Sequence, residues 1–208
     1  SGAREKAGTW EEKHAMPVVK RAEGAEDFRQ LLSRIVDRDT SQRAEVHPGI
    51  ETWFRPPEDW RPNEAAIAKA IQDELSRIAP KSTGRVVDQI VEPSRDSTTQ
   101  AMVIPDKKDP AKDLVLFTLM SKDPLGDVHH EAIHLLRRGF FTDAEWGVLK
   151  DAALAENWHG KYGIERFYKG LHPDLQLEEA VAEGFRDWMK NKELKVSPEV
   201  QTVFEKLK

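Results

Sequence analysis

Cysteine is absent from the 208 residues, which removes disulfides, thiolate catalysis and every cysteine-containing zinc site at once. No apolar run approaches the length of a membrane span, and no signal-peptide hydrophobic stretch stands near the start, so a membrane is not among the expected partners. A basic surplus is missing too. The formal net charge of −5 argues against nonspecific nucleic-acid binding by the domain as a whole, because counterion release needs a basic footprint. Internal repeats and low-complexity tracts are also lacking. What remains is a polar chain, 38% hydrophobic and 33% charged, long enough to bury a substantial core.

Against that background the most informative residues are His130-Glu131-Ala132-Ile133-His134. Residues four apart share one face of an α-helix, so His130 and His134 can aim one ring nitrogen each at a single point. Zn²⁺ accepts imidazole nitrogen at about 2.0–2.1 Å, and a catalytic site takes three protein ligands and leaves a fourth position for water. Glu131, rotated off the ligand line, suits a general base acting on that water. Asp123-Pro124 reads as an N-cap and first-turn proline and Gly139 as a stop, which puts the motif in mid-helix. Val128, Ala132 and Leu135 form one apolar stripe, and Ile133, Leu136 and Phe140 a second. A helix apolar on most of its circumference is buried, and buried imidazoles and carboxylates need partners, which a metal provides. His129 is read as a neighbour without a catalytic role.

A third ligand is expected in the helical stretch Leu177–Phe185. Leu177, Val181, Phe185 and Trp188 make its core stripe, while Glu179 and Glu183 share another face. One of these carboxylates suits the metal and the other the far nitrogen of a ligand imidazole. Glu179 is favoured as ligand, Glu183 stands as second partner or alternative ligand, and Glu178 reads as part of a solvated acidic face. Small residues at Ala180, Ala182 and Gly184 would let this helix approach the histidine helix.

These residues resemble the gluzincin class of HExxH zinc metallopeptidases, whose pattern is a histidine helix followed by a helix carrying ExxxD or a variant; here it reads Glu179-x-x-x-Glu183. The resemblance implies Glu179 as third ligand and Glu183 where the class commonly has an aspartate that orients the first histidine. The metzincin pattern does not fit, since it needs glycine in place of Arg137 and histidine in place of Phe140. More narrowly, the blocks His130–Trp146 and Glu178–Trp188 look like metallopeptidase domains embedded in large multidomain proteins of phages and bacterial mobile elements. That likeness covers roughly residues 99–190. It implies a module of a larger polypeptide, working in the bacterial cytoplasm or delivered from a phage or secretion system.

Along the rest of the chain, residues 1–23 read as an extended arm and Phe28, Leu31, Leu32, Ile35 and Val36 as a first amphipathic helix. A proline- and tryptophan-rich loop is expected over 47–62. A second helix follows from Asn63 to about Ile78, completing a helical region 24–80. The core would then span 81–208. Its strands are expected at Gly84–Val91, Thr99–Ile104 and Leu114–Leu119, the last as an exposed edge able to pair a substrate backbone. Thr142–Glu145 reads as a capping box and Ser197-Pro198 as the start of a last helix. Between the two metal-bearing helices, His159, Tyr162, Arg166, Tyr168 and His172 are candidates to stabilise an oxyanion.

The sequence therefore predicts an α+β, zincin-like domain with a small sheet against a buried HExxH helix. Its expected cofactor is Zn²⁺, its substrate a protein or peptide, and Glu131 its catalytic base. The alternative is a noncatalytic interaction module of a larger protein with a structural or vestigial metal site; zinc hydrolysis of a nonpeptide bond is a third reading.

Overall fold

The computed structural model describes residues 42–47, 50–91, 99–105, 113–191 and 193–208. The expected arm and first amphipathic helix lie outside the described residues. The described chain is mixed α+β. Its strands are β1 (Gln42–His47), β2 (Ile50–Phe54), β3 (Thr83–Val87), β4 (Gln89–Val91), β5 (Ala101–Ile104) and β6 (Leu114–Thr118). Its helices are α1 (Pro62–Ile78), α2 (Pro124–Arg137), α3 (Asp143–Ala155), α4 (Trp158–Lys161), α5 (Ile164–Phe167), α6 (Pro173–Lys190) and α7 (Pro198–Glu205).

Two three-stranded sheets form, in the orders β1-β2-β4 and β3-β6-β5. In the second, β3 runs parallel to β6 and β5 antiparallel to it. Strand β6 is therefore central, not the exposed edge expected from its sequence. The physical reason is that β3 and β5 take its backbone hydrogen bonds on both edges, while its continuous apolar run reflects cover on both faces. Val115, Leu116 and Phe117 are each at most 1% exposed. Val115 and Phe117 join Val86, α1 and α2 in one apolar cluster, while Leu116 joins Val87, Ile90 and Ile104 in another facing the first sheet. Among the described residues, the outer strand of this sheet that lines the cleft beside the histidine helix is β5.

The run Gly84–Val91, expected as one strand, is broken at Asp88. Val87 still pairs with Thr118 in one sheet, whereas Gln89 pairs with Trp53 in the other. Asp88 holds the crossover: its N–H donates to Trp53 O at 2.8 Å, and its carboxylate accepts from the Arg55 guanidinium at 2.6–3.1 Å. Part of the stretch expected as an irregular loop, Ile50–Phe54, is strand β2, because β1 and β4 flank it and take its backbone hydrogen bonds. Helix α1 packs Ala68, Ile71 and Leu75 into the same apolar cluster as Val86, Phe117 and Val128, so it belongs to the core that carries α2.

Beyond α2 lies a helical layer. Ala132, Ile133 and Leu136 pack with Trp146 and Leu149 of α3, Val181 and Phe185 of α6, and Val200, Val203 and Phe204 of α7. The Thr142 box caps α3 as its sequence indicates, with Thr142 and Glu145 bonded reciprocally, and Ser197 caps α7. Gly184 does not serve the approach to the histidine helix. A Cβ there would stand 2.5 Å from the Trp158 ring, which is 2% exposed, stacked on Phe204 and tied through Nε1 to Glu156 at 2.9 Å. Alanine would gain about 1 kcal/mol of helix propensity but overpack by about 1–3 kcal/mol. With the ring unable to retreat, overpacking wins, and Gly184→Ala is expected to lower the urea midpoint of unfolding without changing the slope.

Candidate metal centre

The two central helices meet through a ladder of polar pairs. Glu178 and Glu179 of α6 reach His134, Glu179 and Glu183 reach His130, and Arg186 reaches Asp127 and Asp123. Numbers rising on one helix fall on the other, so α2 and α6 run antiparallel. Asp123 does not cap α2 with its side chain as its position suggests. Its carboxylate instead accepts from Arg186 Nη2 and Lys190 Nζ, both at 3.1 Å.

At the centre of the ladder the rings of His130 and His134 turn their Nε2 atoms toward each other, 3.3 Å apart. Glu179 Oε2 lies 3.1 Å from the first and 3.8 Å from the second. Ligands about 2.0–2.1 Å from one tetrahedral centre are about 3.3 Å from each other; the separations of 3.3 and 3.1 Å are close to this, and the 3.8 Å from His134 to Glu179 needs a small closing movement. Among the described residues, His130, His134 and Glu179 are the group able to hold a metal ion in common.

The far nitrogens are braced as well. His130 Nδ1 is buried, 3.2 Å from Glu183 Oε1 but without a well-aligned hydrogen bond. His134 Nδ1 lies 2.7 Å from Glu178 Oε1. Glu178 is thus an inward-facing residue, not the solvated one its sequence suggested. Arg186, which the sequence reading passed over, stands 3.6 Å from Glu183 and ties it to Asp123 and Asp127. Its spacing of three from Glu183 and seven from Glu179 on one helical face was the legible signal.

Four carboxylates, Glu131, Glu178, Glu179 and Glu183, surround two imidazoles in a setting that solvent scarcely reaches. Burial opposes charge on His130, yet the neighbouring carboxylates of Glu179 and Glu183 outweigh it and push its pKa up to about 10. His134 is raised for the same reason, chiefly by Glu178 against burial. Burial also works against ionised Glu179 and Glu183, but His130 holds both carboxyls below the usual range. Burial pushes the Glu131 carboxyl up, with the histidines opposing. The donor set demands positive charge: protons on the imidazoles do what a divalent cation would do better, since a cation also satisfies both Nε2 lone pairs.

The group opens onto a cleft of about 330 Å³. Strand β5 with Pro105, the motif residues His130, Glu131 and His134, and Tyr168, Leu175 and Glu178 line it, together with Arg138. Of the oxyanion candidates, Tyr168 is in the cleft beside Glu179, with burial raising its pKa. Tyr162 is not: its hydroxyl donates to Asp187 at 2.9 Å. His159 and Arg166 also stand away from the cleft lining, and His172 accepts from Asp174 N–H at the start of α6.

His129 turns the opposite way, with Nε2 2.7 Å from Glu74 Oε1 and its ring edge-on to Phe185. Glu74 also takes the Arg77 guanidinium at 2.6 Å. Arg77 first, then His129, hold the Glu74 carboxyl down at about 2 in spite of burial. Because the folded-state value is depressed, the stabilisation is present above the ordinary value of 4.5 and is lost as pH falls toward 2. Glu74→Gln is expected to flatten the pH dependence of urea unfolding in that window.

The chain matches no protein-family model, no curated protein and no solved structure. No helix among the described residues is long and apolar enough to cross a membrane.

Proposed function

We propose that the chain is a zinc-dependent metallopeptidase domain of the gluzincin type on a zincin-like fold, hydrolysing peptide bonds. The observation that carries this reading is the convergence of His130 Nε2, His134 Nε2 and Glu179 Oε2 within 3.1–3.8 Å of one another in a cleft that strand β5 also lines. His130, His134 and Glu179 would hold the ion. A bound Zn²⁺ supplies Lewis acidity, making water a nucleophile near neutral pH and polarising a carbonyl.

The remaining work falls to side chains of this chain. Glu131 faces the same cleft, buried and with a raised pKa, so it takes a proton from the attacking water and returns it to the leaving amine. Burial keeps that carboxyl poised nearer neutrality than an exposed glutamate. Strand β5 offers backbone groups to an extended peptide, the role expected earlier of β6. Met102, Val103, Pro105 and Leu175 exclude water along the peptide's flanks, and Tyr168 donates toward the developing oxyanion. Like the embedded domains it resembles, the chain would act as a module of a larger polypeptide.

Elemental mass spectrometry of zinc-reconstituted protein, paired with digestion of a peptide library with and without chelator, tests the proposal. About one zinc per chain and chelator-sensitive cleavage are expected. Absence of zinc after reconstitution refutes it.

A further inference from the structure

We infer that Glu178 is a positioning residue for His134, so that both ligand histidines are braced by carboxylates from α6. The inference rests on the metallopeptidase reading and deepens it. The gluzincin pattern assigns an outer carboxylate to the place of Glu183; it assigns none to Glu178.

Three observations carry it. The His134 Nδ1–Glu178 Oε1 separation of 2.7 Å is shorter than the 3.2 Å between His130 Nδ1 and Glu183. Both partners are largely withdrawn from solvent, the side chains of His134 and Glu178 being 17% and 20% exposed. The same ring presents Nε2 to Glu179, the adjacent residue, at 3.8 Å. Residues 178 and 179 point about 100° apart around α6, so only a ring seated across the boundary between them can meet both. The antiparallel crossing of α2 and α6 seats His134 there.

The chemical consequence concerns the tautomer. A carboxylate at Nδ1 keeps the ring proton on that nitrogen, where it donates to Oε1, and leaves the Nε2 lone pair directed at the common point with His130 and Glu179. Without that acceptor, the ring rotates more freely and the proton divides between the two nitrogens. A surface ion pair of no consequence for the site would affect neither property.

The test compares full-length wild type, Glu178→Ala and Glu178→Gln. Zinc affinity is read by competition with a chromophoric chelator, and the His134 tautomer by nitrogen-15 NMR of the metal-free protein at a pH high enough that the ring carries a single proton. Glu178→Ala is expected to weaken zinc binding by about 10–100-fold and to deplete the Nδ1–H tautomer. Glu178→Gln keeps an acceptor and is expected to lose less on both readouts, which also guards against misfolding of the alanine variant. Zinc affinity within about twofold of wild type in both variants, with an unchanged tautomer, overturns the inference. Failure of the wild type itself to bind zinc is a separate result and overturns the metallopeptidase reading beneath it.

Discussion

Glu131→Gln is expected to keep zinc at about one per chain and lose turnover by about 10²–10⁴-fold, the usual contribution of a general base. Glutamine is isosteric with the carboxylate it replaces, and Glu131 is not among the atoms that converge on the common point, so the metal site should survive. The substitution removes the group that accepts the water's proton. It also removes a buried negative charge from a crowded acidic site, so the folded state should be no less stable. Metal content by mass spectrometry and cleavage rates on a peptide found by library screening separate the two properties. A metal-loaded Glu131→Gln protein with wild-type rates would refute the mechanism.

His134→Ala and Glu179→Ala are expected to abolish both zinc retention and turnover. Each removes one of the three converging atoms, and a two-ligand remnant cannot complete a four-coordinate zinc site that keeps one open position. The clearest readout is thermal. Zinc bound to the folded form alone would stabilise the wild type by about 2.7 kcal/mol at a hundredfold excess over Kd and so raise its melting temperature; the two variants should show no shift. Chelation of the wild type should lower the midpoint without unfolding the chain. The three apolar clusters do not include the ligands, and they hold the helices and sheets together independently. Unfolding on chelation would favour a structural metal in a noncatalytic module.

Much of the site was legible because the information is periodic. The spacing of His130 and His134, the off-line position of Glu131 and the stripe Val181–Phe185 all follow from 3.6 residues per turn, and α2 and α6 carry them where expected. The caps at Thr142 and Ser197 were equally local. Reading failed where one element had to be placed against another. Glu178 looked solvated because it lies off the Glu179–Glu183 face, yet the crossing of the helices brings His134 over it. Asp123 looked like a cap, yet Arg186 and Lys190, more than sixty residues on, claim its carboxylate.

Sheet order divides in the same way. An apolar run such as Leu114–Thr118 says that a strand is buried, but not which strands flank it. Only pairing with β3 and β5 made β6 central and left β5 at the cleft. The sequence by itself determined the helices, their buried faces and the donor types, because these depend on neighbours a few residues apart. The tertiary structure alone decided which nitrogens converge, which carboxylates brace them and which strand lines the cleft, because those depend on contacts between residues as much as about fifty positions apart that no local pattern encodes.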